Sequence, residues 1–323
     1  MPSITCRDAL NQAIHEEMAR DDTTFILGED VGLYEGSFKV TRGLLARYGD
    51  LRVIDTPISE AGIVGFACGA AITGLRPIVE LMTINFGILA MDQIMNHVAV
   101  SRYMFGGQVK VPLTIRAPGG AGNQLGAQHS HSLEAMFLHC PGLRVVAPSV
   151  PADAKGLLKS AIRSDDPVMF IEHEGLYGTK GEVPEGEYTI PLGVADVKRK
   201  GKDVTLIALS RMVYVCLEAA EKLAEEGIDA EVLDLRCLNP LDMPAVLESV
   251  SKTRRAVTVE ECWLTGGWGG EIAARIMEQV FDELDGPVLR VGSADVPMPY
   301  NKKLEQAAIP SVSSVLERVR ELL

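Results

Sequence analysis

Apolar and polar positions along this chain switch between two periods, and the switching lays out a series of strands and helices. Runs apolar on both faces, such as Val168-Met-Phe-Ile171 and Pro77 to Met82, predict buried strands. Stretches with apolar residues three and four apart, such as Ala9 to Ala19 and Ala152 to Arg163, predict helices with one face on a core. In the first half, further strands are expected over 24–27, 51–54, 111–115 and 143–147. A long helix is expected from Ile88 to Met104 and a short one from Ser132 to His139. Residues 174–202 interrupt the pattern with Gly175, Gly178, Gly181, Pro184, Gly186, Pro191 and Gly201, and read as a linker. Alternation then resumes, with strands over 203–209, 230–235, 256–260 and 288–291. Helices are expected over 213–226, 243–249, 270–284 and 311–322. The expectation is an α/β protein of two domains in series, residues 1–185 and 186–323, each a largely parallel sheet flanked by helices.

Composition narrows the class. With 323 residues and 47% hydrophobic content there is material for two cores, and a net charge of −13 argues against nucleic acid or an anionic membrane as partner. No apolar run reaches the roughly 18 residues of a membrane span. The N-terminal residues lack a basic stretch followed by an apolar one, so the cytoplasm is the expected compartment. Cys6, Cys68, Cys140, Cys216, Cys237 and Cys262 form no Cys-x-x-Cys pair and mostly sit in apolar runs. Reduced, buried thiols are expected.

One segment concentrates the candidate chemistry. Asp55-Thr-Pro-Ile-Ser-Glu60 ends a strand and opens a helix that is apolar or small to Thr73. Ser59 offers an N-cap, and Glu60 falls in the first turn, where the helix dipole favours an anion. Glu60 reads either as a helix-capping carboxylate or as a buried proton donor and acceptor. Gly62, Gly65 and Gly69 weaken a helix interior, so close packing against another element is expected there. The Gly-rich loops fail the nucleotide patterns: Gly120-Ala-Gly122 is followed by Leu125, Gly267-Trp-Gly269 by Ile272, and there is no Gly-Lys-Ser/Thr. His129-Ser-His131 follows such a loop after a predicted strand, where open α/β sheets place ligands. A histidine there reads as solvated, structural or proton-transferring.

Taken together, Asp-Thr-Pro-Ile-Ser-Glu60, Asn85-Phe86, Arg116-Ala-Pro-Gly-Gly, Gln128-His129-Ser130 and Lys159-Ser-Ala-Ile-Arg163 resemble the beta subunit of the thiamine-diphosphate-dependent 2-oxo acid dehydrogenase component, with the pyruvate type nearest. The resemblance runs essentially from end to end. It implies a pyrimidine-binding domain followed by a transketolase-like C-terminal domain. It implies that Glu60 is the cofactor-activating glutamate and that His129 manages protons during decarboxylation and reductive acylation of a lipoyl group. Phe86 would pack on the pyrimidine ring, and Glu29, in Gly28-Glu-Asp-Val-Gly32, and Ile58 would line the same pocket. The bland alternative for Glu29, a loop-capping carboxylate, stays open.

The resemblance also implies a structural potassium ion on Leu113, Ala161, Ile162, Ser164 and Asp166, largely through backbone carbonyls. Ser164 and Asp166 depart from the Asp and Asn common in the family, a change that carbonyl ligation tolerates better than side-chain ligation. The Gly-Asp-Gly motif that holds diphosphate and its magnesium is absent, because Gly49-Asp50 is followed by Leu51. The chain therefore offers half a cofactor site. An alpha subunit is expected to supply the rest in a heterotetramer of two alpha and two beta chains, acting on a small 2-oxo acid and docking on a dihydrolipoyl acyltransferase core through the C-terminal domain. Pyruvate is the expected substrate, with a branched-chain 2-oxo acid dehydrogenase or an acetoin-cleaving relative as alternative. A non-catalytic docking scaffold is the reading from another class.

Overall fold

The doubly apolar runs become parallel strands covered by helices, in two compact units. A computed structural model describes residues 1–323. Unit one comprises Met1–Gly119 and Met136–Leu192, and unit two comprises Gly120–Ala135 and Gly193–Leu323. The change of unit at Leu192/Gly193 lies inside the expected linker. The loop Gly120–Ala135, however, goes with the second unit although the sequence places it in the first.

Unit one contains β1 (Ser3–Thr5), β2 (Thr24–Gly28), β3 (Val53–Asp55), β4 (Arg76–Glu80), β5 (Thr114–Gly119), β6 (Arg144–Val146), β7 (Val168–His173) and β8 (Lys180–Glu182). The short strands β1 and β8 pair antiparallel. The main sheet runs β6-β7-β5-β4-β2-β3, all parallel. Every residue of β7 is buried, as its apolar run predicts. Helix Cys6–Arg20 packs on helix Pro151–Arg163. Between them Lys159, fully buried, meets Glu16 at 2.7 Å and Glu187 at 2.6 Å.

The expected helix from Ile88 to Met104 is broken. A 3-10 segment covers Ile84–Ala90, then come helix Met91–Gln93, a π-segment Ile94–Val98 and helix Ser101–Met104. Gly87 lies so close to Phe137 that a Cβ there would sit 3.1 Å from the ring, and Ala99 N–H reaches Ile94 O at 2.9 Å, five residues back. The glycines of helix Glu60–Ile72 also depart from expectation. Only Gly65 faces another element closely, at Gln93, while Gly62 abuts its own Ser59 and Gly69 has open space beside it.

Unit two contains β9 (Asp196–Arg199), β10 (Val204–Ala208), β11 (Ala230–Asp234), β12 (Cys237–Asn239), β13 (Ala256–Trp263) and β14 (Leu289–Ser293). Its five-stranded sheet runs β14-β13-β10-β11-β9, parallel except for the antiparallel edge strand β9. Val204, Leu206, Val232, Val257 and Val259 from the sheet pack with Val213, Cys216 and Leu223 of helix Met212–Glu225 and with Val315 and Val319 of helix Val312–Leu322. All six cysteines are free and buried, as expected. No helix is long and apolar enough to cross a membrane.

Candidate active site

Strand order decides where a ligand can enter unit one. Strand β2 has β3 on one side and β4 on the other, so the connections leave it in opposite directions and open a crevice at the carboxyl ends. Glu29 directly follows β2. Glu60 opens the helix that follows β3. Both side chains are buried, Glu60 to 6% exposure. Burial raises the proton affinity of Glu29 above the ordinary carboxylate range, and the nearby Glu60 and Asp30 raise it further. The carboxylate of Glu60 makes no hydrogen bond or ion pair within the chain, and its N-cap, Ser59, makes no side-chain cap bond. The fold therefore brings two carboxylates together at the switch point and supplies no cation to either.

The loop after Glu29 is anchored from β3. Asp55 accepts Gly32 N–H at 2.6 Å and Leu33 N–H at 3.0 Å, which ties the ends of β2 and β3 together above the crevice. Phe86, half-buried, sits in the 3-10 segment with its N–H on Thr83 O at 3.1 Å; Asn85 beside it is buried. Ile58 stands in solvent at 82% exposure. His129 lies in the other unit, exposed, in the loop Gly120–Ala135. Its neighbour His131 is held below the usual histidine range by burial and by His129.

The five expected potassium positions gather at the carboxyl end of helix Pro151–Arg163. Leu113 O accepts Val168 N–H at 2.9 Å, and Ala161 O accepts Ser164 N–H at 3.1 Å. Ile162 O and Ser164 O both accept from Arg76 Nη1, at 3.1 and 3.0 Å. Asp166 O accepts Ser164 Oγ at 2.8 Å, while the Asp166 carboxylate is engaged by Arg102 and Arg144. A carbonyl oxygen has two lone pairs, so each retains acceptor capacity for a cation. The side chains of Ser164 and Asp166 are engaged elsewhere, so an ion here would meet carbonyls rather than side chains. No group of three His, Cys, Asp or Glu side chains is gathered to hold a metal ion.

Sequence reasoning missed a charged row behind the crevice. Glu80, Arg116 and Glu172, from the adjacent strands β4, β5 and β7, are buried side by side, with Tyr177 OH on Glu172 at 2.5 Å. Burial raises the proton affinity of Glu80 despite the adjacent Arg116. Arg116-Ala-Pro-Gly-Gly was visible as a motif, but its partners emerge only from strand register.

The chain has relatives along its whole length. Residues 2–180 match "Transketolase, pyrimidine binding domain" and residues 193–315 match "Transketolase, C-terminal domain". It is 52% identical over 323 residues to the pyruvate dehydrogenase E1 component subunit beta of Porphyra purpurea, covering 100% of this chain and 98% of that one. The chain belongs to the pyruvate dehydrogenase E1 beta family. Another member of this E1 beta family, the mitochondrial subunit of Drosophila melanogaster, is 51% identical over 325 residues, covering 99% of this chain and 89% of that one. The E1 beta subunit of Rhizobium meliloti is 49% identical over 321 residues, covering 99% and 70%. Among solved structures, a split gene transketolase described as an inactive beta4 tetramer superposes with a TM-score of 0.82 at 27% identity, covering 99% of this chain and 98% of that one. The E1 beta family thus carries the two-domain, transketolase-like α/β fold described above.

Proposed function

We propose that this chain is the beta subunit of a pyruvate dehydrogenase E1 component. With an alpha subunit it decarboxylates pyruvate oxidatively and passes the acetyl group to the lipoyl group of a dihydrolipoyl acyltransferase core. The observation that carries this reading is Glu60, a buried carboxylate at the switch point with no partner in its own chain. Such a group is costly unless something from outside pairs with it. The ring nitrogen of an aminopyrimidine is a fitting partner, and Glu60 would share a proton with it in a site where water does not compete.

Thiamine diphosphate, when bound, supplies the carbon nucleophile and the store for the electrons released with carbon dioxide. The chain's own residues then have distinct tasks. Glu60 would hold the proton at the pyrimidine nitrogen, Phe86 would pack on the ring, Glu29 would line the pocket, and Ile58, exposed in this chain, would line its open side. His129 moves protons during acyl transfer. The diphosphate and its magnesium fall to the alpha subunit, in keeping with the missing Gly-Asp-Gly. A heterotetramer of two alpha and two beta chains is proposed, with helix Glu60–Ile72 facing alpha: Phe66 is 61% exposed between the exposed Gly62 and Gly69. We place potassium on the carbonyls of Leu113, Ala161, Ile162, Ser164 and Asp166, sharing two of them with Arg76. The cytoplasm is the proposed compartment, since six free buried thiols suit a reducing one.

The test is turnover by the reconstituted alpha–beta pair. Glu60→Gln should lose several orders of magnitude of 2-oxo acid decarboxylation, because an amide cannot exchange the proton. Wild-type turnover by the variant would sink the reading of Glu60. The single chain should bind thiamine diphosphate with magnesium weakly in calorimetric titration, and show no activity. Parallel assays on pyruvate, a branched-chain 2-oxo acid and acetoin should rank pyruvate first.

A further inference from the structure

The loop that carries His129 is held shut at its base by two buried glutamates of the second unit. Glu261 Oε1 accepts Ala121 N–H at 2.7 Å and Ser132 Oγ–H at 2.9 Å, so one oxygen joins both ends of the loop. Gly120 N–H to His131 O, at 3.0 Å, closes the same neck. Glu305 accepts Gly122 N–H at 3.0 Å and Gln124 N–H at 3.1 Å. Arg211 completes the set: its Nη1 donates to Ala121 O at 2.8 Å and lies 3.6 Å from Glu261 Oε2. Glu261 and Glu305 are both buried, and the latter is 1% exposed.

We infer that Glu261 and Glu305 are positioning residues for His129, an assignment that rests on the acyl-transfer role proposed for that histidine. The loop backbone is a poor scaffold by itself. Gly120, Gly122, Gln124 and Gly126 all have positive φ, and Gln124 pays a steric cost for it. Charge-assisted bonds from buried carboxylates to backbone N–H groups are stronger than neutral ones, and those of Glu305 fall on the positive-φ residues Gly122 and Gln124. His129 itself lies exposed in the loop beyond this neck, so the clamp sets where its backbone sits. The C-terminal domain, for which the resemblance implied docking on the acyltransferase core, thereby also positions the loop of His129.

The experiment uses the reconstituted alpha–beta enzyme and two rates: decarboxylation with ferricyanide as electron acceptor, and acyl transfer to free lipoamide. Glu305→Ala and Ser132→Ala should each lower lipoamide kcat by about tenfold or more, since small misplacements of a catalytic group cost that much. The ferricyanide rate should stay within about twofold, because the role proposed for His129 lies in the acyl-transfer step, which ferricyanide bypasses. Glu305→Gln and Glu261→Gln, which keep an acceptor oxygen for the same N–H groups, should restore most of the lipoamide rate. His129→Ala run alongside separates the two ideas. If His129→Ala cripples lipoamide transfer while Glu305→Ala and Ser132→Ala leave it at wild type, the clasp is overturned and the histidine stands. If both rates and the melting temperature of Glu305→Ala and Ser132→Ala fall together, the glutamates are merely structural and the clasp is equally overturned. If His129→Ala has no effect, the role of His129 falls and the clasp with it.

Discussion

Arg116 and Glu172 are joined by two parallel hydrogen bonds, Nε to Oε1 at 2.8 Å and Nη2 to Oε2 at 2.6 Å, with both side chains buried. Glu80 meets the same guanidinium from the other side. Removing the arginine would leave two carboxylates facing each other without water. Arg116→Met should therefore cost about 3–5 kcal/mol of stability at pH 8. The loss should shrink at pH 5, where Glu80, already biased towards the protonated state by burial, can take up a proton. Melting temperatures of variant and wild type at the two pH values check both statements. A variant as stable as wild type at pH 8 would show that the row contributes nothing.

Glu260 offers a cleaner titration. Burial raises it to about 7, partly offset by the Gly269 N–H at 3.1 Å and by Arg290. Its folded value lies above the 4.5 of a free glutamate, so the folded chain keeps a proton that the unfolded chain has released. The resulting stability is fully present below about pH 4.5 and is lost as pH rises through about 7. Glu260→Gln carries no such proton. Its stability relative to wild type should improve by up to about 3 kcal/mol between pH 4.5 and pH 8. Denaturant unfolding at those pH values measures the difference, and a pH-independent difference would mean that Glu260 stays ionised when folded.

Helix Glu60–Ile72 presents Phe66 to solvent. Phe66→Asp should leave the melting temperature of the isolated chain within about 2 °C of wild type, as surface changes usually do. Pairing with the alpha subunit should weaken by at least about tenfold, because a buried charge at the centre of an interface has no partner. Sedimentation of the mixed subunits reads the outcome. Unchanged pairing would move the alpha contact to another face.

Potassium should raise the melting temperature relative to a bulky organic cation at equal ionic strength. An ion bound only by the folded chain stabilises it by about 2.7 kcal/mol at a hundredfold excess over its Kd. Arg76→Ala should enlarge that response, because the guanidinium that shares Ile162 O and Ser164 O is gone. No response in either protein across a wide potassium range would empty the carbonyl cluster.

Local pattern was legible wherever local forces decide. The strand Val168–His173 announces itself because both faces are buried and both must be apolar. Helix Pro151–Arg163 is marked by its leading proline and a strongly one-sided apolar stripe. The break between Ile88 and Met104 was not legible, since an apolar pattern does not distinguish 3-10, α and π turns. Glu60 stood out because the helix it opens is otherwise apolar or small. Its approach to Glu29 could not be read, because that needs the order of β2 and β3 in the sheet. Glu261 and Glu305 lie more remote still. Nothing near either one in sequence indicates that its oxygens end on the loop of His129.

The buried thiols have a meaning for the company this chain keeps. Under the proposed activity it works beside a strained disulfide, which opens to any accessible thiolate. Burial raises Cys6 to about 12 and also raises Cys68, Cys140, Cys216 and Cys262. At neutral pH those five are almost wholly un-ionised, and all six are buried. Under that activity, burial keeps the folded subunit's own thiols from forming mixed disulfides with its acceptor.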